Sequence, residues 1–456
     1  MAGEESSPLI TSRADLIAAM ARGAKPRSEW RIGTEHEKHV YRKNPIRPVP
    51  YEGSDGIRAL IEGIEKRRGW HPFYDRGLPI GLRNEEVAGG ISLEPGGQFE
   101  LSGSPRRNLH EAAAELYEHL EDCRVVGEPL NIHFLGLGVT PTWAVADIPV
   151  MPKSRYGIMT PYMGKVGKLG TSMMYRSATV QANLDFADEA DMVRKFRVSL
   201  ALQPIVTALF ANSPFVDGKP SGFLSFRSQI WLNTDNTGRT GMLPFVFDEG
   251  FGYDRYAEYA LDVPMYFIIR HGEYVNVAGE SFRAFLKGEL PQLPGEMPHA
   301  KDWENHLSTL FPEVRLKQFL EMRGADMGDA EHVLALSALW VGLLYDEVAL
   351  EAASTLIADW TTDEMWMLRK EVPRTAIHTK LRNRTVAEIG DDVLAIAHDG
   401  LRRRAQWDIA GQDETGYLAP IERVLTERRT AAERWLERYN GAWACRVDPI
   451  FDEAEM

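Results

Sequence analysis

Hydrophobic positions along the chain repeat with two different periods. Apolar residues recur at helical spacing over about 12–24, over 53–68, and through 108–126, where Leu109, Ala113, Leu116, Leu120 and Cys123 share a face. Cys123 therefore reads as a core residue. A further helix is expected over 189–210, with Pro204 inside it predicted to kink or divide it. From about residue 327 the pattern is almost wholly helical, ending in "IERVLTERRTAAERWLERYNG", so 327–456 is expected to be a helix-rich subregion.

Five stretches between these helices alternate with period two. In "GTEHEKHV" Glu35 and Glu37 share a face. In "ISLEPGGQFELSG" (91–103) Gln98 and Glu100 oppose Phe99 and Leu101, and Glu94 stands just before the Pro-Gly-Gly turn signal. In "TVQANLDF" Thr179, Gln181, Asn183 and Asp185 oppose Val180, Ala182, Leu184 and Phe186. "FRSQIWLN" sets Arg227, Gln229, Trp231 and Asn233 on one side, and "EVRLKQFLEMRG" sets Arg315, Lys317, Phe319, Glu321 and Arg323 against an apolar set broken only by Gln318. Such alternation predicts an antiparallel sheet with one face packed on helices and the other turned to water or a ligand. The fold class is α+β. No repeat or low-complexity segment interrupts the chain, and glycine and proline are not gathered in a linker, so one catalytic domain over 1–456 is expected.

The plain reading of the polar faces is a solvated sheet, but their composition is unusual. Solvated strand faces carry Thr, Lys and mixed charges, whereas these gather Glu35, Glu37, Glu94, Glu100 and Glu321 beside Gln181, Arg227 and Arg323. Neighbouring carboxylates raise each other's pKa unless a cation neutralises them. Hard Mg²⁺ fits, since it takes oxygen ligands and commonly binds through a few carboxylates plus substrate phosphates. A nucleotide site with several Mg²⁺ ions follows as an expectation. "HEKH" (36–39) imitates a metalloprotease motif, but its histidines are three apart on an alternating stretch. "FLGLGVTPTW" lacks the third glycine of a dinucleotide fingerprint, and no Walker A sequence occurs. The glycine-rich "YMGKVGKLGTSMMYR" (162–176) carries Lys165 and Lys168, which could close over ATP phosphates; the same residues fit an exposed loop equally well.

Composition narrows the classes further. The formal net charge is −14 and the pI about 5.4, which argues against nucleic acid as a partner; "LRRRAQ" reads as a solvated helix face. No stretch is apolar for long enough to cross a bilayer, and the acidic start shows no secretory pattern, so a soluble protein is expected. Cys123 and Cys445 are too few for a disulfide framework and lack zinc spacing, which points to a reducing cytoplasm.

Nine motifs, in order, resemble the plant-type glutamate–cysteine ligases of plants and many proteobacteria: "GTEHEK", "SLEPGGQFELSG", "MPKSRYGIM", "TVQANLDF", "ALFANSPF", "GMLPFVFD", "YALDVPMYF", "DWENHL" and "PEVRLKQFLEMRGAD". The resemblance runs from about residue 30 to the "YNGAWACRVDPIF" end. It implies the glutamine-synthetase-like fold, a curved antiparallel sheet forming a funnel with helices outside. It also implies ATP- and Mg²⁺-dependent joining of the γ-carboxyl of L-glutamate to the amine of L-cysteine through γ-glutamyl phosphate, the first step of glutathione synthesis. By resemblance Glu35, Glu37, Glu94, Glu100 and Glu321 are metal ligands. Arg227 and Arg323, with Glu37, are the catalytic set, Arg227 meeting the glutamate carboxylate and Arg323 the transferring phosphate. Gln181, Asn183, Arg155 and Tyr156 are expected at the substrates.

One departure stands out. Plant members carry cysteine pairs that switch activity, and the positions matching them here are Ala113 with Leu334 and Val277 with Gln292, so that switch is expected to be absent. Small molecules are the expected partners of a monomer or homodimer. Two other readings remain open: a ligase of the same superfamily with another amine acceptor, and a non-catalytic nucleotide or glutamate sensor. Retention of all five acids and both arginines argues against the sensor.

Overall fold

The computed structural model describes residues 7–456. The first six residues of the acidic start, and any expectation resting on them, lie outside the described residues. A ten-stranded open sheet organises the molecule. Its central strand is β1 (Ile32–Lys43), and β2 (Ile46–Pro48) pairs back onto its end. The strands β3 (His71–Asp75), β4 (Leu78–Asn84), β5 (Gly89–Leu93) and β6 (Phe99–Ser102) build one wing outward from β1. β7 (His133–Leu135) also pairs with β1. The other wing is β8 (Thr179–Leu184) followed by the hairpin of Val314–Leu316 and Leu320–Asp326. All these pairings are antiparallel.

Register decides what the polar face presents. Glu35 lies opposite Ser102 and Gln181, Glu37 opposite Glu100, and Glu321 opposite Asn183 and Arg315. Residues directly opposite each other in a ladder project to the same side, so the acids of three separate stretches converge. The other side of β8 and the hairpin, with Val180, Ala182, Leu184, Leu320 and Met322, is buried in the larger apolar core. Two helices supply much of that core: Glu189–Leu209 and Ala330–Leu344.

Several expectations need correcting. "FRSQIWLN" is not a strand: Phe226–Trp231 is a short helix, started by Ser225, whose hydroxyl accepts from the Ser228 N–H. Arg227 and Trp231 still share a side because they stand four apart on the helix, a spacing that also satisfies alternation over a short window. "EVRLKQFLEMRG" is two strands rather than one, folded so that Arg315 pairs with Glu321. The helix Glu189–Leu209 runs undivided through Pro204, in a wholly buried setting where packing outweighs local propensity. The glycine-rich stretch forms two helices, Tyr156–Val166 and Gly170–Arg176, instead of a phosphate loop. Between them Gly167 allows close passage: a Cβ there would fall 2.0 Å from the Thr234 carbonyl oxygen. Beyond residue 327 the chain is helical apart from the small pair Lys380–Leu381 and Arg384–Thr385. Among the described residues no single helix is long and apolar enough to cross a membrane.

Candidate active site

A cavity of about 260 Å³ opens on the polar face of the sheet. Glu35, Glu37, Glu94 and Glu100 line one wall, and Arg155, Arg227, Arg315 and Arg323 close around it. Gln181 and Tyr156 reach it too, and Met159, Met173, Met174, Trp231, Phe267 and Phe311 make its apolar part.

The "LEPGGQFE" segment places two of these acids from one turn. The Glu94 N–H donates to the Gln98 carbonyl and the Gly97 N–H to the Glu94 carbonyl, with Gly97 at φ +82, a conformation that favours glycine. Gln98 is buried and donates its amide to the carbonyls of Met174 and Ser177, which ties the turn to the helix Gly170–Arg176. Glu100 accepts from the hydroxyls of Ser92 (2.9 Å) and Ser102 (3.0 Å). Glu37 accepts from the Thr179 N–H at 2.9 Å, and Glu35 from the Asn183 amide at 2.7 Å.

These carboxylates are held in an unfavourable state. Burial, then the charges of Glu94 and Glu100, pushes Glu37 well above the ordinary carboxylate range. Burial, then Glu321 and Glu100, raises Glu35, and burial followed by Glu94 raises Glu100. A cation would relieve all three, and every donor here is a hard carboxylate oxygen, which is the chemistry Mg²⁺ takes. Among the described residues no three acids or histidines stand close enough to hold an ion by themselves. The set fits Mg²⁺ only as an incomplete shell to be finished by substrate oxygens and water.

The structure places the remaining expected residues unequally. Glu321 is completely buried and does not line the cavity. Burial would raise it, but Arg315 (2.5 Å), Arg323 (2.9 Å) and Lys317 (3.1 Å) outweigh that and hold it well below the ordinary range. Asn183 also lies off the cavity wall, its amide spent on Glu35. Arg155 lies 3.7 Å from Glu94 and 5.2 Å from the Tyr156 ring centre; the Tyr156 hydroxyl donates to the Leu93 carbonyl. Lys165 and Lys168 are exposed and outside the cavity.

Arg227 and Arg323 differ in how they are satisfied. Arg323 sits at a bulge: the ladder with β8 shifts between Met322 and Ala325, so Arg323 and Gly324 together face Gln181. Arg323 there donates to Gln181 Oε1 (2.5 Å) and Glu321 Oε2 (2.9 Å). Arg227 donates to the Arg323 carbonyl at 3.0 Å, and its Nε has no partner. Burial lowers the pKa of both arginines. Sequence reasoning missed Arg315 as a site residue, although it stands in phase with Glu321. Lys153 lies off the cavity wall, its Nζ 5.8 Å from the Tyr156 ring centre, where burial, then Arg155, lowers its pKa to about 8 against the pull of Glu94 and Glu100.

An open antiparallel sheet whose polar face gathers carboxylates and arginines into one cavity is suited to collecting several anionic groups, as a ligase that joins a carboxylate to an amine must. More particularly, the chain belongs to glutamate-cysteine ligase family 2 (GCS2), whose model matches residues 31–453. It is 51% identical over 442 residues to glutamate–cysteine ligase B, chloroplastic, of Oryza sativa subsp. japonica, covering 97% of this chain and 87% of that protein. It is 53% identical over 442 residues to the chloroplastic glutamate–cysteine ligase of Arabidopsis thaliana, covering 97% and 82%. Among solved structures, a glutamate–cysteine ligase from Francisella tularensis in complex with AMP shares the fold, with a TM-score of 0.53, 13% identity and coverage of 93% and 87%. The expected cytoplasmic location is overturned by the plant relatives, which are named chloroplastic. Two unpaired cysteines speak to redox conditions and do not distinguish one reducing compartment from another.

Proposed function

We propose that this ligase joins the γ-carboxyl of L-glutamate to the amine of L-cysteine, using ATP and Mg²⁺. The observation that carries this reading is the acid-and-arginine cavity in a chain so similar, over nearly its whole length, to glutamate–cysteine ligases. The chemistry takes two displacements. The γ-carboxylate attacks the γ-phosphorus of ATP, giving γ-glutamyl phosphate and ADP; the amine of cysteine then attacks the acyl carbon, the carbon–oxygen bond to phosphate breaks, and phosphate departs.

Glu35, Glu37, Glu94 and Glu100 would hold Mg²⁺, which supplies neutralisation of phosphate charge. Arg227 lines the cavity with its Nε unpaired and is assigned to the carboxylate of glutamate; its planar fork suits a carboxylate. Arg323 is oriented by Gln181 and Glu321 and is assigned to the transferring phosphate. Glu321, engaged by three cations, acts by ordering Arg315, Lys317 and Arg323 rather than as a metal ligand. Arg155 and Tyr156 border the substrates from the other side. Exposed Lys165 and Lys168 have no part in this scheme.

The test is product formation with glutamate, ATP and Mg²⁺, with L-cysteine supplied, withheld or replaced by other amino acids. The reading expects phosphate release to depend on cysteine and to match γ-glutamylcysteine mole for mole by mass spectrometry. Equal or faster turnover with another amine would replace cysteine as acceptor, and no turnover with any amine would favour a sensor.

A further inference from the structure

Off the wall of the main cavity, in a small side pocket that Arg227 and Arg323 also line, a buried ion pair of Arg369 and Glu313 reaches the backbone beside both active-site arginines. Arg369 belongs to the helix Thr362–Thr375 of the C-terminal region and is 2% exposed; Glu313, which precedes the Val314–Leu316 strand, is 7% exposed. Arg369 Nε donates to Glu313 Oε1 at 2.5 Å. Its Nη1 donates to the Ser228 hydroxyl at 2.8 Å, and its Nη2 to the Ser228 carbonyl at 3.2 Å. Ser228 follows Arg227 in the chain. The Glu313 carbonyl accepts the Arg323 N–H at 3.2 Å.

The surroundings leave little slack. A Cβ on Gly324, at the bulge, would fall 2.5 Å from Gln203 Nε2 and 2.9 Å from Glu313 Oε2. The helix Phe226–Trp231 has only six residues and is too short to hold itself, so outside contacts fix it. Its start is tied to Asp326, which accepts from the hydroxyls of Ser213 and Ser225. Ser213 accepts the N–H of Phe226 at its carbonyl and that of Arg227 at its hydroxyl, both at 3.1 Å, and Arg369 adds a tie one residue past Arg227. The Arg227 guanidinium has the Arg323 carbonyl as its hydrogen-bond acceptor, so its location follows from where the backbone is held.

We propose that Arg369, braced by Glu313, is a positioning residue that sets Arg227 and Arg323 at the separation their substrate anions require. This rests on the reading of Arg227 as an anion clamp. The forked guanidinium is essential to it, because a lysine could keep the ion pair with Glu313 but could not also bridge to two acceptors on Ser228 in fixed geometry.

The experiment is steady-state kinetics on Arg369→Lys, Arg227→Lys and the double variant, each substrate varied in turn, with thermal melting of each protein. Arg369→Lys is expected to raise the KM for glutamate about tenfold while kcat falls less than about threefold, and to add less than about twofold once Arg227 is lysine, since residues acting through one another are not additive. A lowered melting temperature with the KM for glutamate unchanged would overturn the proposal, as would fully multiplicative effects in the double variant. If Arg227→Lys alone leaves the KM of every substrate unchanged, the clamp reading fails and the proposal falls with it; if only Arg369→Lys is silent, the clamp stands and the proposal alone fails. Should Arg369→Lys not fold, Ser228→Ala, which removes one hydrogen bond and leaves the ion pair intact, is expected to raise the glutamate KM about threefold. An unchanged KM in that folded variant would equally overturn the proposal.

Discussion

Arg227 combines deep burial, an unpaired Nε and a single backbone acceptor, a costly arrangement for a cation unless an anion arrives to complete it. Arg227→Lys keeps the charge and loses the fork. Losing one charge-assisted hydrogen bond of about 1.5–3 kcal/mol corresponds to a rise of roughly ten- to hundredfold in the glutamate KM. Kinetics with each substrate varied would check it: a rise in the ATP KM instead would move Arg227 to the phosphate side. Glu321→Gln removes the charge that three cations share, so turnover is expected to fall at least about tenfold with the circular dichroism spectrum unchanged. Activity within about threefold of the parent would show that Arg323 keeps its place without Glu321. At this scale the phase of the acids was readable from alternation alone. The partners of Glu321 were not, because the turn that folds Arg315 across from it is set by three-dimensional register, which spacing along one stretch does not encode.

Among the elements, the strands were legible wherever an apolar face alternated against a chemically distinctive polar one, as in β1 and β8. Phe226–Trp231 escaped because six residues are too few to separate a helix from a strand by period, while the deciding signal was the capping hydroxyl of Ser225. The glycine-rich segment misled for a different reason. Gly167 answers a need for close approach to Thr234, not for a phosphate-binding loop. Gly167→Ala is therefore expected to destabilise the protein by about 1–3 kcal/mol, read from the urea unfolding midpoint. An unchanged midpoint would mean that the neighbouring backbone yields freely.

Across the whole molecule, four acids in one cavity make stability depend on pH and on cations. Glu35, Glu37 and Glu100 are raised in the folded state, so each contributes stability that is present below its unfolded pKa and is lost as pH rises through its folded value. Glu321 is lowered and acts oppositely, its contribution being present above the unfolded value and lost as pH falls. Binding a divalent cation requires the ionised acids. Mg²⁺ is therefore expected to raise the melting temperature more at pH 8 than at pH 5, with chelator reversing the gain. An equal gain at both pH values would detach the ion from these carboxylates. The C-terminal helices were visible in the sequence as a layer, but that one of them sends Arg369 to the back of the site was not, since a lone arginine on an amphipathic helix reads as surface.

The most direct test of carboxyl activation follows one oxygen atom. With L-glutamate labelled with ¹⁸O in its γ-carboxyl group, and with ATP, Mg²⁺ and L-cysteine present, attack on the γ-phosphorus and later release from the acyl carbon carry one carboxyl oxygen into phosphate. One ¹⁸O per phosphate released, matched by γ-glutamylcysteine that has lost one, is the predicted result. Unlabelled phosphate formed alongside the peptide product would contradict the account.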